Sequence, residues 1–170
     1  MKSTSFATST LRTLMLCTLF FLLMAGPGQA AEGERHRDAE ATMAFADSLF
    51  NSGTLYRATI EYKRFLYFYP THSDVPRARF NLATSAKRTR DYPFALECYT
   101  SLAKEYHGTS TAIQASFEQA EVLYLMGNYP SAHDHYRAFL AHYPDHPLAE
   151  EAARGLVKIE QLEAGTSDKN

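Results

Sequence analysis

The chain has 170 residues, of which 45% are hydrophobic and 21% charged, and its net charge at pH 7 is −2. This mildly acidic balance argues against a nucleic-acid partner, because such partners require a concentrated positive surface. The length corresponds to one domain that can bury a core of its own.

The first thirty residues have the pattern of a secretory signal peptide. Lys2 and Arg12 lie in a polar start, the stretch from Leu14 to Ala25 is almost entirely apolar, and small residues follow up to Ala30. The apolar stretch is about a dozen residues long, which is shorter than the roughly 20 that a membrane-spanning helix needs. We therefore predict a signal peptide at residues 1–30, cleavage near Ala30, and no membrane span in the mature chain.

The two cysteines limit the covalent chemistry of the exported protein. Cys17 lies inside the apolar stretch without the small preceding residue of a lipoprotein signal, so lipid attachment is not expected. Cys98 is the one cysteine left after cleavage, which excludes an internal disulfide. Loss of Lys2 and Arg12 leaves 15 basic against 19 acidic residues, a net charge of −4.

The rest of the chain matches itself at a shift of 37 residues, without gaps. A fixed period of this length is typical of stacked repeat proteins. The columns that keep one residue type are alanine or tyrosine, and they comprise Ala41, Ala78, Ala115 and Ala152; Ala46, Ala83 and Ala120; Ala58, Ala95 and Ala132; Tyr62, Tyr99 and Tyr136; and Tyr69, Tyr106 and Tyr143.

Each unit is apolar at helical spacing, as in the stripe Ala58, Tyr62, Phe65 and Tyr69. Short polar residues precede the second helix of each unit, and prolines end or begin helices, so each unit reads as helix, tight turn, helix. We predict seven helices, near residues 39–51, 54–69, 76–89, 92–106, 111–126, 129–143 and 148–163.

These motifs resemble the tetratricopeptide repeat. Its pattern of a small residue, Gly-x-Tyr-x-x-Ala, an aromatic residue and a proline is matched by Ala120, Gly127 to Ala132, Tyr136 and Pro144. The first unit matches at Ala46, Gly53, Ala58, Tyr62 and Pro70. The middle unit has Arg90 for the glycine and His107 for the proline, and we expect these departures to loosen its turns.

The resemblance implies an all-α fold, a superhelix of three helix pairs and a C-terminal capping helix. We predict a linker at 31–37, a repeat domain at 38–164 and a disordered tail at 165–170. Within the repeat domain the units are 38–74, 75–111 and 112–148, and the capping helix is 149–164.

The period of 37 and the "F-x-x-x-Y-P" ending of the second helix resemble repeats of exported bacterial envelope proteins. Two such families are the periplasmic repeat protein that works with the Tol-Pal system and the repeat lipoprotein of the outer-membrane assembly machine. This chain lacks the coiled coil of the first and the lipidated cysteine of the second. The resemblance implies a periplasmic location.

Four histidines lie between residues 127 and 147, a concentration that raises the possibility of a metal site. His146 shares its column with His72, which makes it a feature of the repeat, and His135 and His142 lie about 10 Å apart along a helix. We predict no metal, no cofactor and no catalytic residues. Cys98 is expected to pack as a small hydrophobic residue, and the chain has none of the short catalytic motifs that would indicate an enzyme.

By resemblance, the first helix of each pair lines the concave side, and we call the surface of these helices the first-helix surface. The partner-binding residues that we predict on it are Phe50, Arg77, Lys87, Tyr124, Arg154 and Lys158. Core packing is the alternative role for the neighbouring Phe80 and Phe117, and a solvated charged face is the alternative for the four basic residues.

The function expected from these patterns is a non-catalytic scaffold that binds other envelope proteins or their peptide segments, in envelope organisation or outer-membrane assembly. The alternative is an accessory subunit of a cell-wall enzyme, or a glycan-binding helper that uses aromatic residues such as Tyr56 and Tyr124. A third possibility is self-association through Leu156, Val157 and Ile159 on the last helix.

Overall fold

The computed structural model describes residues 27–167. Most of the predicted signal peptide and the last three residues of the predicted tail lie outside the described residues. The chain divides into two compact units, Met1–Ala41 and Thr42–Asn170.

Residues 27–167 form seven α-helices, and there is no strand in that range. The predicted all-α fold is confirmed. The ends of the five middle helices agree with the predicted ends to within one residue. The helices are α1 (Pro27–Asn51), α2 (Leu55–Phe68), α3 (Val75–Arg88), α4 (Tyr92–Glu105), α5 (Ser110–Leu125), α6 (Tyr129–His142) and α7 (Ala149–Ser167).

The two terminal helices are longer than predicted. Residues 31–37, predicted as a linker, belong to α1, because alanine, glutamate and arginine in this segment are strong helix formers. In the first unit the Arg37 Nε–H donates to the Gly33 carbonyl at 3.3 Å, and the His36 and Glu40 side chains approach to 3.3 Å. At the other end α7 continues to Ser167, so the predicted tail begins too early.

In the second unit each helix from α2 to α7 packs against the next, and α3 also contacts α5. Short turns make successive helices antiparallel, and the helices follow one another in a superhelical arrangement. We call α1, α3, α5 and α7 the first helices, and α2, α4 and α6 the second helices.

The core of the second unit consists of the repeated columns. The alanine and tyrosine columns within the pairs are at most 1% exposed, so small side chains allow close helix approach while tyrosines fill the space between neighbours. Phe117 is buried, and Phe80 packs its ring edge-on against Tyr99 at 5.4 Å, which is the core role considered for both. The buried residues of these columns are Ala46, Ala83, Ala120, Ala58, Ala95, Ala132, Tyr62, Tyr99 and Tyr136.

The turn inside each pair has the same hydrogen bonds in all three repeats. Gly53 N–H donates to the Phe50 carbonyl, and the next N–H donates five residues back, to Leu49. Arg90 occupies the corresponding position of the second repeat with φ of 66°, beside 79° and 76° for the two glycines. The expectation that Arg90 loosens this turn is wrong, since its N–H and that of the following residue make the equivalent bonds at 3.1 and 2.9 Å.

Arg90 is held in the left-handed region, which costs a residue with a Cβ about 1–2 kcal/mol. We expect Arg90→Gly to raise the free energy of unfolding by about 0.5–1 kcal/mol, as measured by urea denaturation. The reciprocal change Gly127→Arg should lower it by about 1–2 kcal/mol. A loss of stability in Arg90→Gly would contradict the strain assigned to this turn.

Gly155 on α7 allows the ring of Tyr136 to approach the helix backbone. A Cβ built at this position would lie 2.6 Å from the Tyr136 ring, whereas a Cβ at Gly165 on the same helix meets nothing within 4 Å. We expect Gly155→Ala to lower the free energy of unfolding by about 1–3 kcal/mol through overpacking. The matched control Gly165→Ala should be neutral or stabilising by up to about 1 kcal/mol. Equal effects of the two changes in thermal denaturation would contradict the packing described.

Candidate functional site

A tyrosine hydroxyl from each second helix makes a hydrogen bond to the first helix of its own pair. The Tyr62 hydroxyl donates to Asp47 Oδ1 at 2.7 Å, the Tyr99 and Thr84 hydroxyls share a hydrogen bond at 2.9 Å, and the Tyr136 hydroxyl donates to Glu121. Each bond spans 15 residues. We call these three bonds the tyrosine row.

Burial and neighbouring carboxylates keep the hydroxyls of Tyr62 and Tyr136 protonated. Burial is the larger cause that raises the pKa of Tyr62, and the hydrogen bond to Asp47 raises it further. Burial, followed by the hydrogen bond to Glu121, likewise raises the pKa of Tyr136. These phenols therefore act as hydrogen-bond donors and not as bases.

A second set of contacts joins each pair to the next. The Asn81 carboxamide on α3 donates to the Tyr62 hydroxyl and to Asp47 Oδ1, both at 3.1 Å. The corresponding residues of the following repeats are Glu118 and Gly155. Their roles differ: Glu118 carries a charge, and Gly155 makes room for a ring.

Arg77, predicted to contact a partner, bridges two first helices of this protein. Its Nη1 donates to Asp47 Oδ2 at 2.5 Å, and its Nη2 donates to Asp74 Oδ2 at 3.1 Å. The hydrogen bond to Asp74, opposed by burial and assisted by Asp47, raises the pKa of the guanidinium. Arg77 therefore holds the stack together.

Lys87 is also engaged within the protein, in an ion pair with Glu118 on α5. The two side chains are 20% and 19% exposed, so the pair is largely removed from water. Burial raises the pKa of Glu118, and the attraction of Lys87 offsets this only in part. A pair of this kind is costly to break, because removing one partner leaves the other charge away from water and unpaired.

The two predicted aromatic anchors are half-buried. The Phe50 ring and the Tyr62 ring meet edge to face at 6.3 Å, and the Arg88 guanidinium lies over the Phe50 ring at 5.1 Å. The Tyr124 ring packs against Tyr129 with 5.6 Å between centroids. Both rings are therefore held in place by neighbouring side chains and remain partly exposed to solvent.

Arg154 and Lys158 lie on α7 and are exposed. Arg154 donates to Glu150 Oε1 at 2.6 Å one turn away, but it remains 56% exposed, and an exposed pair of this kind is easily exchanged. Of the six predicted residues, the first-helix surface thus offers Tyr124, Arg154 and Lys158 most readily to a partner.

Sequence reasoning missed the acceptors of the tyrosine row. Asp47, Thr84 and Glu121 share one repeat column, and each lies 15 residues before a tyrosine column. The sequence does contain a signal for these acceptors, because a column of polar residues lies at a fixed distance from a column of tyrosines.

The repeated loop histidines have a structural role. His72 Nδ1 accepts the Asp74 N–H, and His146 Nδ1 accepts the Leu148 N–H, each at 3.2 Å. Their rings stand edge-on to Phe65 and Phe139 at 5.5 and 5.8 Å. Throughout residues 27–167 no three His, Cys, Asp or Glu side chains are grouped so that they could hold a metal ion.

Cys98 lies on α4 and is half-buried. Burial, and next the charge of Glu97, raises the pKa of its thiol to about 11. At neutral pH the group is therefore a thiol and a poor nucleophile.

Two further findings bear on the nature of the chain. Among the helices that the structure describes, none is both long and apolar enough to span a bilayer. Comparison with profiles of protein families and with curated protein sequences finds no match to this chain.

Glu118 gives the fold a specific pH dependence. Because burial raises its pKa in the folded state, its titration contributes stability below about pH 4.3, and this contribution is lost as the pH rises through the folded pKa. We expect the stability of the wild type relative to Glu118→Gln to fall as the pH rises above about 4.3. Urea denaturation in a series of buffers from about pH 4 upward measures the difference.

Glu150→Gln, which removes an exposed carboxylate, is the control for the loss of one negative charge. A difference between wild type and Glu118→Gln that is constant or grows with pH would contradict the assignment.

Proposed function

We propose that the protein is a tetratricopeptide-like, non-catalytic scaffold of the bacterial periplasm that binds segments of other envelope proteins on its first-helix surface. The observation that carries the proposal is the agreement between the 37-residue columns and the repeated tyrosine row, since the same bond recurs in all three pairs. Stacked pairs of this kind present extended surfaces to which peptides bind.

The chemistry of the first-helix surface favours binding near its C-terminal half. Arg77 and Lys87 are already paired with carboxylates of neighbouring helices, and breaking the largely buried Lys87–Glu118 pair would leave a charge away from water without its partner. Tyr124 offers an aromatic face, while Arg154 and Lys158 offer exposed positive charge. A partner segment with apolar and acidic residues is complementary to this combination.

The state of Cys98 supports a non-catalytic role, because a thiol with a pKa of about 11 is not poised for attack. The periplasmic location is supported by the pattern of residues 1–30, and the link to envelope organisation or outer-membrane assembly by the family resemblance. The resemblance covers residues 38–164, which include all three helix pairs.

Photo-crosslinking in the bacterium that produces the protein tests the surface directly. A photoreactive amino acid at Tyr124 or Lys158 should give a discrete adduct with an envelope protein, whereas the same group at exposed Arg64 on α2 should not. Charge reversal of Arg154 and Lys158 together should abolish the Tyr124 adduct, and Arg154→Lys should preserve it. Adducts that survive the reversal, or that form equally from position 64, would overturn the proposal.

A glycan-binding role is the second candidate, because α2 carries exposed aromatic residues. Tyr56 and Tyr67 are 77% and 78% exposed, and the Tyr67 ring meets Phe68 edge-on at 5.0 Å. Stacking on sugar rings would use such faces. Sedimentation of the purified protein with isolated cell wall, abolished by Tyr56→Ser and Tyr67→Ser, would favour this role over the scaffold.

Self-association through the last helix has less support than its sequence indicated. Ile159 is fully buried and Leu156 packs onto the core around Phe117, whereas Val157 is 49% exposed. The apolar side chains that remain exposed on α7 are Val157 and Leu162, the latter at 41%.

A further inference from the structure

A cavity of about 320 Å³ lies among α4, α5 and α6, and three histidines line it. His135 and His142 come from α6, and His107 comes from the turn after α4. None of the residues lining the cavity is Asp, Glu, Lys or Arg. The other lining residues are Ala103, Ser116, Gln119, Ala138, Phe139 and Tyr143.

Two polar side chains of the lining can form hydrogen bonds with a ligand. The Nδ1–H of His142 donates to the Ala138 carbonyl at 2.7 Å, which leaves Nε2 as the nitrogen available to a ligand. Gln119 is buried, with 8% of its surface exposed, and its carboxamide makes one long hydrogen bond of 3.5 Å, to the Tyr99 carbonyl. A better partner in the cavity would satisfy this amide.

The preceding repeat has an equivalent cavity, of about 330 Å³, which is lined by two carboxylates of its own, Glu97 and Glu105. There Glu105 on α4 forms an ion pair with Arg79 on α3. One period of 37 residues later, His142 stands for Glu105 and Ser116 stands for Arg79, while His135 stands for Cys98. The second cavity thus lacks the two carboxylates and the guanidinium that line the first, and it has gained two imidazoles.

We propose that this histidine-lined cavity binds a carboxylate carried on an apolar or aromatic body. Protonated imidazoles would supply the positive charge and hydrogen-bond donors, and Phe139, Ala103 and Ala138 would contact the apolar part. A dianionic phosphate is less well matched, because the lining has no Lys or Arg.

The proposal implies that binding strengthens as the pH falls, because histidine changes charge between pH 5 and pH 8. The titratable groups that face the cavity are His107 from the turn after α4, and His135, His142 and Tyr143 from α6 and its end. From α4 and α5 the cavity receives only the uncharged Ala103, Ser116 and Gln119. Nothing in the lining opposes the gain of positive charge except the imidazoles themselves.

The test uses benzoate as the probe and benzamide as its neutral counterpart, with binding to the full exported protein followed by NMR at pH 5.5 and pH 8. We expect benzoate to bind at least about tenfold more tightly at pH 5.5 than at pH 8 and to shift the ring signals of His135 and His142. Equal binding of benzoate and benzamide at pH 5.5, no binding of benzoate, or benzoate shifts confined to other residues would overturn the proposal.

Two cavity variants and a matched control complete the experiment. His135→Gln and His142→Gln should each reduce benzoate affinity at pH 5.5 by about tenfold, with helicity checked by circular dichroism. His133→Gln removes a histidine of the same helix that is absent from the lining, and it should bind as the wild type does. Loss of binding in His133→Gln, or its retention in both cavity variants, would contradict the site.

Discussion

The tyrosine row is the interaction on which the rest of the second unit depends. A tyrosine buried between two helices must place its hydroxyl against a partner, because an unpaired buried hydroxyl costs more than a typical hydrogen bond contributes. Here the partner is a polar residue 15 positions earlier, on the first helix of the same pair. The ring fixes the spacing of the two helices, and the hydroxyl fixes their rotation.

This constraint also determines which charged residues remain available for binding. Asp47 accepts from Tyr62 and at the same time from Arg77, so the tyrosine row and the ion pairs between repeats share acceptors. The ion pair between Lys87 on α3 and Glu118 on α5 joins the second helix pair to the third. Of the four basic residues predicted to contact a partner, those left for it are accordingly Arg154 and Lys158, which are exposed on α7.

The five middle helices could be predicted to within one residue, because the 37-residue period repeats the signals that mark each helix end. The start of α1 could not, since no repeat column covers the segment that begins at Pro27. The ion pairs of Arg77 and Lys87 join residues 30 and 31 apart, which is not a multiple of the period, so comparison of columns could not reveal them. Comparison of columns also could not reveal that His107 lines the same cavity as His135 and His142, because only the packing of the helices brings it there.

The central claim is that the tyrosine row couples the two helices of each pair, and a double-mutant cycle on Tyr136 and Glu121 tests it most directly. The free energies of unfolding of wild type, Tyr136→Phe, Glu121→Met and the double variant are to be measured by urea denaturation, since methionine keeps the length of the side chain and removes the carboxylate acceptor. We predict a coupling of about 1.5–3 kcal/mol, as for a hydrogen bond to a charged acceptor. A coupling near zero would mean that the ring packs without the hydroxyl bond, and it would contradict the account.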